Sequence, residues 1–173
     1  AAIVTFFLAF TFGGITTYLP FFAAKIQVNV GTFFLVYAVT LTVIRPLAGK
    51  ISDKYGEGVI ITPALITLIG ALLVLKKTKG LVGLVITAIL YGIGFGSAQP
   101  ALQVAIIRLA PPEKIGVANA TFFTAFDLGI GLGAIILGFV SQLMGYQMIF
   151  VVCAISGFIS LLIFILFVKK TLK

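Results

Sequence analysis

Six long apolar stretches, separated only by short polar breaks, take up nearly the whole of this 173-residue chain. A helix needs about 20 apolar residues to cross the hydrocarbon core of a bilayer. In lipid the backbone polar groups must find partners within their own segment, and long unbroken apolar runs achieve this only as helices. The sequence therefore predicts an all-α membrane protein, a single bundle over residues 1–173 without a separate soluble domain. Its expected spans are residues 1–24, 30–49, 59–75, 81–109, 115–140 and 148–168.

The composition excludes several classes of protein. Only 9% of the residues are charged and 61% are hydrophobic, whereas soluble domains carry about 25% charged residues. The chain has no histidine, so the commonest general base and metal ligand is missing. No nucleophile–base pair or cluster of metal ligands stands out in the sequence. We therefore expect no enzyme activity, no metal site and no cofactor.

The twelve lysines and arginines lie mostly at the ends of the stretches. That position is typical of membrane topology and headgroup contact rather than of nucleic-acid binding, so we expect no nucleic-acid partner. The more basic side of a membrane protein is the cytoplasmic one, which predicts a multi-pass plasma-membrane protein with both termini in the cytoplasm. The larger basic set is Arg45, Lys50, Lys54, Arg108, Lys114, Lys169, Lys170 and Lys173, and the smaller is Lys25, Lys76, Lys77 and Lys79.

Asp127 is the one carboxylate deep within an apolar stretch, because the other three lie in the polar breaks. A charge in hydrocarbon is costly, so such residues face a bundle interior or a wet cavity and mark substrate or proton paths. Asn119, Phe123 and Asp127 recur every four residues and therefore share one helix face. This face is typical of substrate binding or proton exchange in a transporter. The alternative is a structural aspartate that is hydrogen-bonded to a neighbouring helix.

Two further sets of polar residues lie inside the spans. Arg45 either stabilises an ionised carboxylate or attracts an anionic substrate, or else extends its side chain to the lipid headgroups. Tyr91, Gln99 and Gln103 are spaced by multiples of four residues and share a face of the fourth span. They either line a cavity and bind substrate or join neighbouring helices by hydrogen bonds.

Spans one, two, four and five contain most of the polar and helix-disturbing residues, whereas spans three and six are almost wholly apolar. The chain thus divides into two sets of three spans with the same character in the same order. This pattern predicts two inverted three-helix repeats, which is a known transporter design. In the fifth span, Gly129 and Gly133 form a GxxxG pair that predicts close helix packing.

The break after the second span, residues 45–56, is either an ordinary basic turn or a conformational device. Asp53 is expected to reach the positive end of the fifth span, a contact that would lock one conformation. The break resembles the signature loop of the major facilitator superfamily. Where that motif has glycine, aspartate, a basic residue and glycine, this chain has Gly49, Asp53, Lys54 and Gly56. The trailing basic pair of the motif is absent, since Glu57 and Gly58 follow.

Two other segments resemble drug:proton antiporters of the same superfamily. Residues 12–20 are similar to their seventh helix, and residues 111–129 to their tenth-to-eleventh connection and eleventh helix. The resemblance implies the carboxy-terminal six-helix half of a proton-coupled exporter of drugs or metabolites that works by alternating access. It implies as partners a small-molecule substrate, protons, the bilayer, and an amino-terminal six-helix half or a second copy. A uniporter or facilitator without ion coupling and a non-transporting fragment are the alternatives.

Overall fold

The computed structural model describes residues 1–172. Within this part of the chain there are no strands, and six helices are long and apolar enough to cross a membrane. The predicted all-α, six-helix class is confirmed. A short 3₁₀ turn precedes the fifth helix, and a π-helical turn, Phe164–Val168, continues the sixth. The helices are α1 (Ala2–Lys25), α2 (Val30–Tyr55), α3 (Glu57–Lys77), α4 (Leu81–Leu109), α5 (Ile115–Met144) and α6 (Tyr146–Ile163).

The second helix is longer than its apolar stretch. It continues beyond Gly49, where the expected span ends, as far as Tyr55. Hydropathy marks where a chain leaves hydrocarbon, but a helix continues into the interface for as long as its backbone hydrogen bonds are made. Gly56 then ends α2 with φ +95°, a left-handed conformation that glycine adopts without steric cost.

The connection at Gly56 has a counterpart in the second set of helices. Gly56 joins α2 directly to α3, and Gly145 joins α5 directly to α6 with φ +85°. Both glycines have ψ in the extended region, at 160° and 174°. The middle and last helices of each set are therefore linked by the same single-residue turn.

Helix packing shows the same relation between the two sets. The first helix of one set packs on the middle helix of the other, since α1 lies on α5 and α4 lies on α2. The pairs α1–α6, α3–α4 and α3–α6 complete the bundle. This reciprocal exchange of middle helices is what two inverted three-helix repeats produce.

One side of the bundle is left open. In the apolar parts of α2 and α5 only 6% and 22% of the residues are buried, whereas 56% are buried in those of α1 and α4. Large side chains on these two helices, such as Leu35, Val39 and Phe123, are exposed. We refer below to the end of the bundle where α2, α4 and α6 end and α3 and α5 begin as the Glu57 end.

Candidate functional site

Four polar residues form a belt across three helices. Arg45 Nη2 donates to Gln99 Oε1 at 2.9 Å, which joins α2 to α4. Gln103 Nε2 donates to Asn119 Oδ1 at 2.9 Å, which joins α4 to α5. Gln99 and Gln103 are one turn apart, so α4 holds a helix on either side through one polar face. We call Arg45, Gln99, Gln103 and Asn119 the polar belt.

The close approach of α2 to α4 explains how Arg45 reaches its partner. A Cβ on Gly96 would lie 2.8 Å from Ile44 Cγ2, so a glycine there lets the neighbouring helix approach without displacing that side chain. Pro100 follows four residues later and removes the backbone hydrogen bond to the Gly96 carbonyl. The side chain of Arg45 is consequently held beside Gln99 rather than extended along the helix towards headgroups.

Asp127 lies on the open side of α5. Its side chain is exposed, and Phe123, one turn nearer the Glu57 end, is 45% exposed. Among residues 1–172 the Asp127 carboxylate receives no hydrogen bond and forms no ion pair. Asp127 lies about 12 Å beyond Asn119 along the helix axis. The face of Asn119, Phe123 and Asp127 therefore begins at the polar belt and continues away from it without a covering helix from the described residues.

A row of aromatic rings links all four polar helices, and the sequence did not reveal it. Tyr37 of α2 lies 5.7 Å from Tyr91 of α4, measured between ring centroids. Tyr91 is 5.7 Å from Phe95, which stacks on Phe12 of α1 at 4.8 Å. Phe126 of α5 completes the row at 6.2 Å from Phe95. Phe12 and Phe126 are partly exposed, so the row ends at the open side of the bundle.

Tyr91 belongs to the core rather than to a cavity wall. It is fully buried, and its hydroxyl lies 3.1 Å from Thr11 Oγ1 of α1. On the polar face predicted for α4, Tyr91 is therefore a buried residue that joins α4 to α1. Gln99 and Gln103 on the same face are partly exposed.

The residues that end α2 face a small cavity and the surface of the bundle. Asp53 is exposed and, with Arg45, Gly49 and Ser97, lines a small cavity of about 110 Å³ between α2 and α4. No hydrogen bond joins its carboxylate to α5 in the part of the chain that the structure describes. The ammonium group of Lys54 lies 5.2 Å from the centre of the Tyr55 ring.

An ion pair between a buried carboxylate and an exposed guanidinium at the Glu57 end was also missed from the sequence. Glu57 is 3% exposed, and its two carboxylate oxygens lie 3.0 and 3.1 Å from the two terminal guanidinium nitrogens of Arg108. The pair joins the first residue of α3 to the end of α4. Nothing in one sequence signals a pairing across 51 positions.

Comparison with known proteins identifies the family. The sequence profile of the Major Facilitator Superfamily matches residues 1–173. This chain belongs to the major facilitator superfamily. It is therefore a multi-pass membrane protein of a transporter family, and the resemblance drawn from residues 45–56 is confirmed at that level.

Two relatives within the superfamily carry names that describe their activity. The riboflavin transporter RibZ of Clostridioides difficile (strain 630) is 27% identical over 179 residues, which covers 90% of this chain and 39% of the relative. Multidrug resistance protein 3 of Bacillus subtilis (strain 168) is 31% identical over 139 residues, which covers 79% of this chain and 27% of the relative. The chain thus spans well under half the length of these curated relatives of the superfamily.

Proposed function

We propose that this chain forms one six-helix half of a proton-coupled exporter of small organic molecules, working by alternating access. The observation that carries the proposal is the exposed carboxylate of Asp127 in the middle of α5, on one face with Asn119 and Phe123. Ionisable residues at such depth are retained in membrane proteins for substrate or ion paths. The names of two relatives, a riboflavin transporter and a multidrug resistance protein, support an organic substrate.

The open side of the bundle supports a second half. Arg45 and Asp127 are both exposed there, and a charged side chain in contact with lipid tails is costly. The open side therefore meets a water-filled cavity walled by more protein, which is either an amino-terminal six-helix half or a second copy of this chain. The chain covers 39% of the length of RibZ, which agrees with this arrangement.

The residues divide the work as follows. Asp127 takes up a proton on one side of the membrane and releases it on the other, and organic substrate binds beside it on the face of Phe123. The partly exposed rings of Phe12 and Phe126 favour planar or amphipathic cargo. The polar belt fixes α2 and α5 to α4, so this half moves as one body. Asp53, with Gly49, Lys54 and Gly56, acts as a conformational contact to the second half.

The Glu57 end is the cytoplasmic end in this proposal, and both termini are cytoplasmic in the plasma membrane. Seven of the eleven basic residues among residues 1–172 lie towards it, in agreement with the positive-inside rule. Transport outwards then begins from a cavity open at the polar belt.

The test is Asp127→Asn in the full-length protein, reconstituted in liposomes with riboflavin and ethidium as probes. Transport driven by a pH gradient is expected to fall at least about tenfold, because an asparagine side chain cannot take up and release a proton. Exchange of labelled for unlabelled probe, which needs no net proton movement, is expected to persist. The matched control is Glu113→Gln, an exposed carboxyl in the turn before α5, which should leave both activities unchanged.

Full gradient-driven transport by Asp127→Asn would refute the proton role. Flux that ignores a collapsed proton gradient in the unaltered protein would instead establish a uniporter. Loss of exchange together with driven transport would make Asp127 a substrate contact rather than a proton carrier.

A further inference from the structure

A pocket of about 280 Å³ opens at the Glu57 end, away from the polar belt. It lies between the start of α3, the end of α4 and the residues that follow the π-helical turn of α6. Its walls include Tyr55, Glu57, Gly58, Arg108 and Lys169. We call it the end pocket, and Gly56 is the one residue of its lining that the transport proposal uses.

Arg108 is held at the mouth of the end pocket by the buried carboxylate of Glu57. The Arg108 side chain is 57% exposed although two of its nitrogens bond Glu57. A guanidinium has five N–H donors, so the pair leaves donors directed away from the carboxylate. Glu57 already fixes the orientation of Arg108. Binding of an anion to the remaining N–H donors therefore costs the Arg108 side chain little conformational entropy.

Lys169 is directed to the same pocket by the local helix geometry. The π-helical turn Phe164–Val168 immediately precedes it. One extra residue in a helical turn rotates the side chains that follow by about 100°, and such π turns recur at functional sites. The stem of Lys169 lies over Gly58, whose added Cβ would be 3.7 Å from Lys169 Cγ. Two cations therefore share one pocket with a single carboxylate.

The surroundings of the end pocket are those of a membrane surface. Val59 and Tyr55, which line it, are exposed at 53% and 61%. A phospholipid whose headgroup occupies this pocket would cover such side chains with its acyl chains.

We propose that the end pocket binds the phosphate of an anionic phospholipid headgroup through Arg108 and Lys169, with Glu57 positioning Arg108. The chemistry shared with a free anion is the phosphate itself. The apolar rim is the observation that favours the lipid over inorganic phosphate.

The test measures lipid retained by the purified full-length protein, using native mass spectrometry with phosphatidylglycerol and phosphatidylcholine as competing probes. The unaltered protein is expected to retain phosphatidylglycerol in preference. Lys169→Gln leaves the Glu57–Arg108 pair intact and should weaken that preference about fivefold. Lys170→Gln, an exposed neighbour that does not line the pocket, is the matched control and should change nothing.

Arg108→Gln alone strands a buried carboxylate and risks misfolding, so the second variant is Glu57→Gln with Arg108→Gln, which removes both partners together. It should also lose the preference while remaining monodisperse. Unchanged preference in this variant and in Lys169→Gln would overturn the proposal. Displacement of phosphatidylglycerol by millimolar inorganic phosphate would overturn the lipid assignment and leave a free-anion site. Because lipid retention needs no transport, these outcomes do not depend on the proton proposal.

Discussion

The contact of α1 with α5 and the contact of α4 with α2 are counterparts in the two sets of helices, yet they are built differently. In the first, a Cβ on Gly129 would lie 2.4 Å from the Phe6 carbonyl oxygen, and one on Gly13 would lie 2.5 Å from the Ile130 carbonyl oxygen. Backbone thus meets backbone. In the second, the first obstacles to a Cβ on Gly96 are the side-chain ends of Ile44 and Leu41, at 2.8 and 3.0 Å.

The difference teaches that the same topology can carry two mechanical roles. Side-chain ends change rotamer and let two helices adjust, whereas a backbone carbonyl moves only with its helix. The α1–α5 contact is therefore a fixed joint. At Gly96 the α2–α4 contact is adjustable, whereas at Gly92 an added Cβ would meet Thr40 Cβ at 2.9 Å and the Tyr37 carbonyl oxygen at 3.2 Å. The hydrogen bond between Arg45 and Gln99 adds a polar contact between the same two helices.

The largest expected effect comes from Gly129→Ala. The added methyl group would overlap the Phe6 carbonyl, and no rotamer change removes that overlap. We expect a destabilisation of about 3 kcal/mol, at the upper end for overpacking, seen as lost monodisperse protein and a lowered thermal midpoint in detergent. Gly131→Ala, two residues away with open space around it, should be neutral or slightly stabilising. Equal thermal midpoints for the two variants would show that the α1–α5 contact is not a fixed joint.

A smaller effect is expected from Gly96→Ala on α4. Ile44 and Leu41 have to shift, at a cost of about 1 kcal/mol. Adding Ile44→Ala removes the closer obstacle and should restore the thermal midpoint. No side-chain truncation on α1 should rescue Gly129→Ala, and a rescue there would show that both contacts are adjustable.

The smallest effect is expected within the polar belt. Gln99→Ala removes the hydrogen bond to Arg45, and bonds of this kind between membrane helices contribute about 0.6 kcal/mol. A double-mutant cycle with Arg45→Gln, measured by unfolding in mixed micelles, should return a coupling of that size. Gln142→Ala, exposed on α5, is the control. A coupling near zero would mean that packing alone positions α2 on α4.

The sequence predicted what depends on each residue alone. Long apolar runs located the six helices. The confinement of polar residues to four of them indicated the three helices that carry Arg45, Gln103 and Asp127. What it missed depends on pairs of residues. Phe12 and Phe126 are two among 17 phenylalanines, any of which is equally suited to face lipid. Their place in the aromatic row follows from helix packing that one sequence does not encode visibly.

The end of α2 and the partner of Glu57 were missed for related reasons. Lys50 and Asp53 interrupt the apolar pattern, which registers solvent rather than backbone hydrogen bonding, so the helix beyond Gly49 was not predicted. Glu57 was read as a polar loop residue because nothing local distinguishes it from one, and only the fold brings Arg108 to it. For Arg45 the sequence left an ionised carboxylate, an anionic substrate and the lipid headgroups open, and the structure joins it to the amide of Gln99.

The single-residue turn at Gly56 has a mechanical consequence. Because only Gly56 lies between α2 and α3, a rotation of one helix is transmitted directly to the other. The first residue of α3 is Glu57, which forms an ion pair with Arg108 near the end of α4. A displacement of α2, the most exposed helix of its set, therefore reaches α3 across one residue of backbone, and through Glu57 it reaches α4.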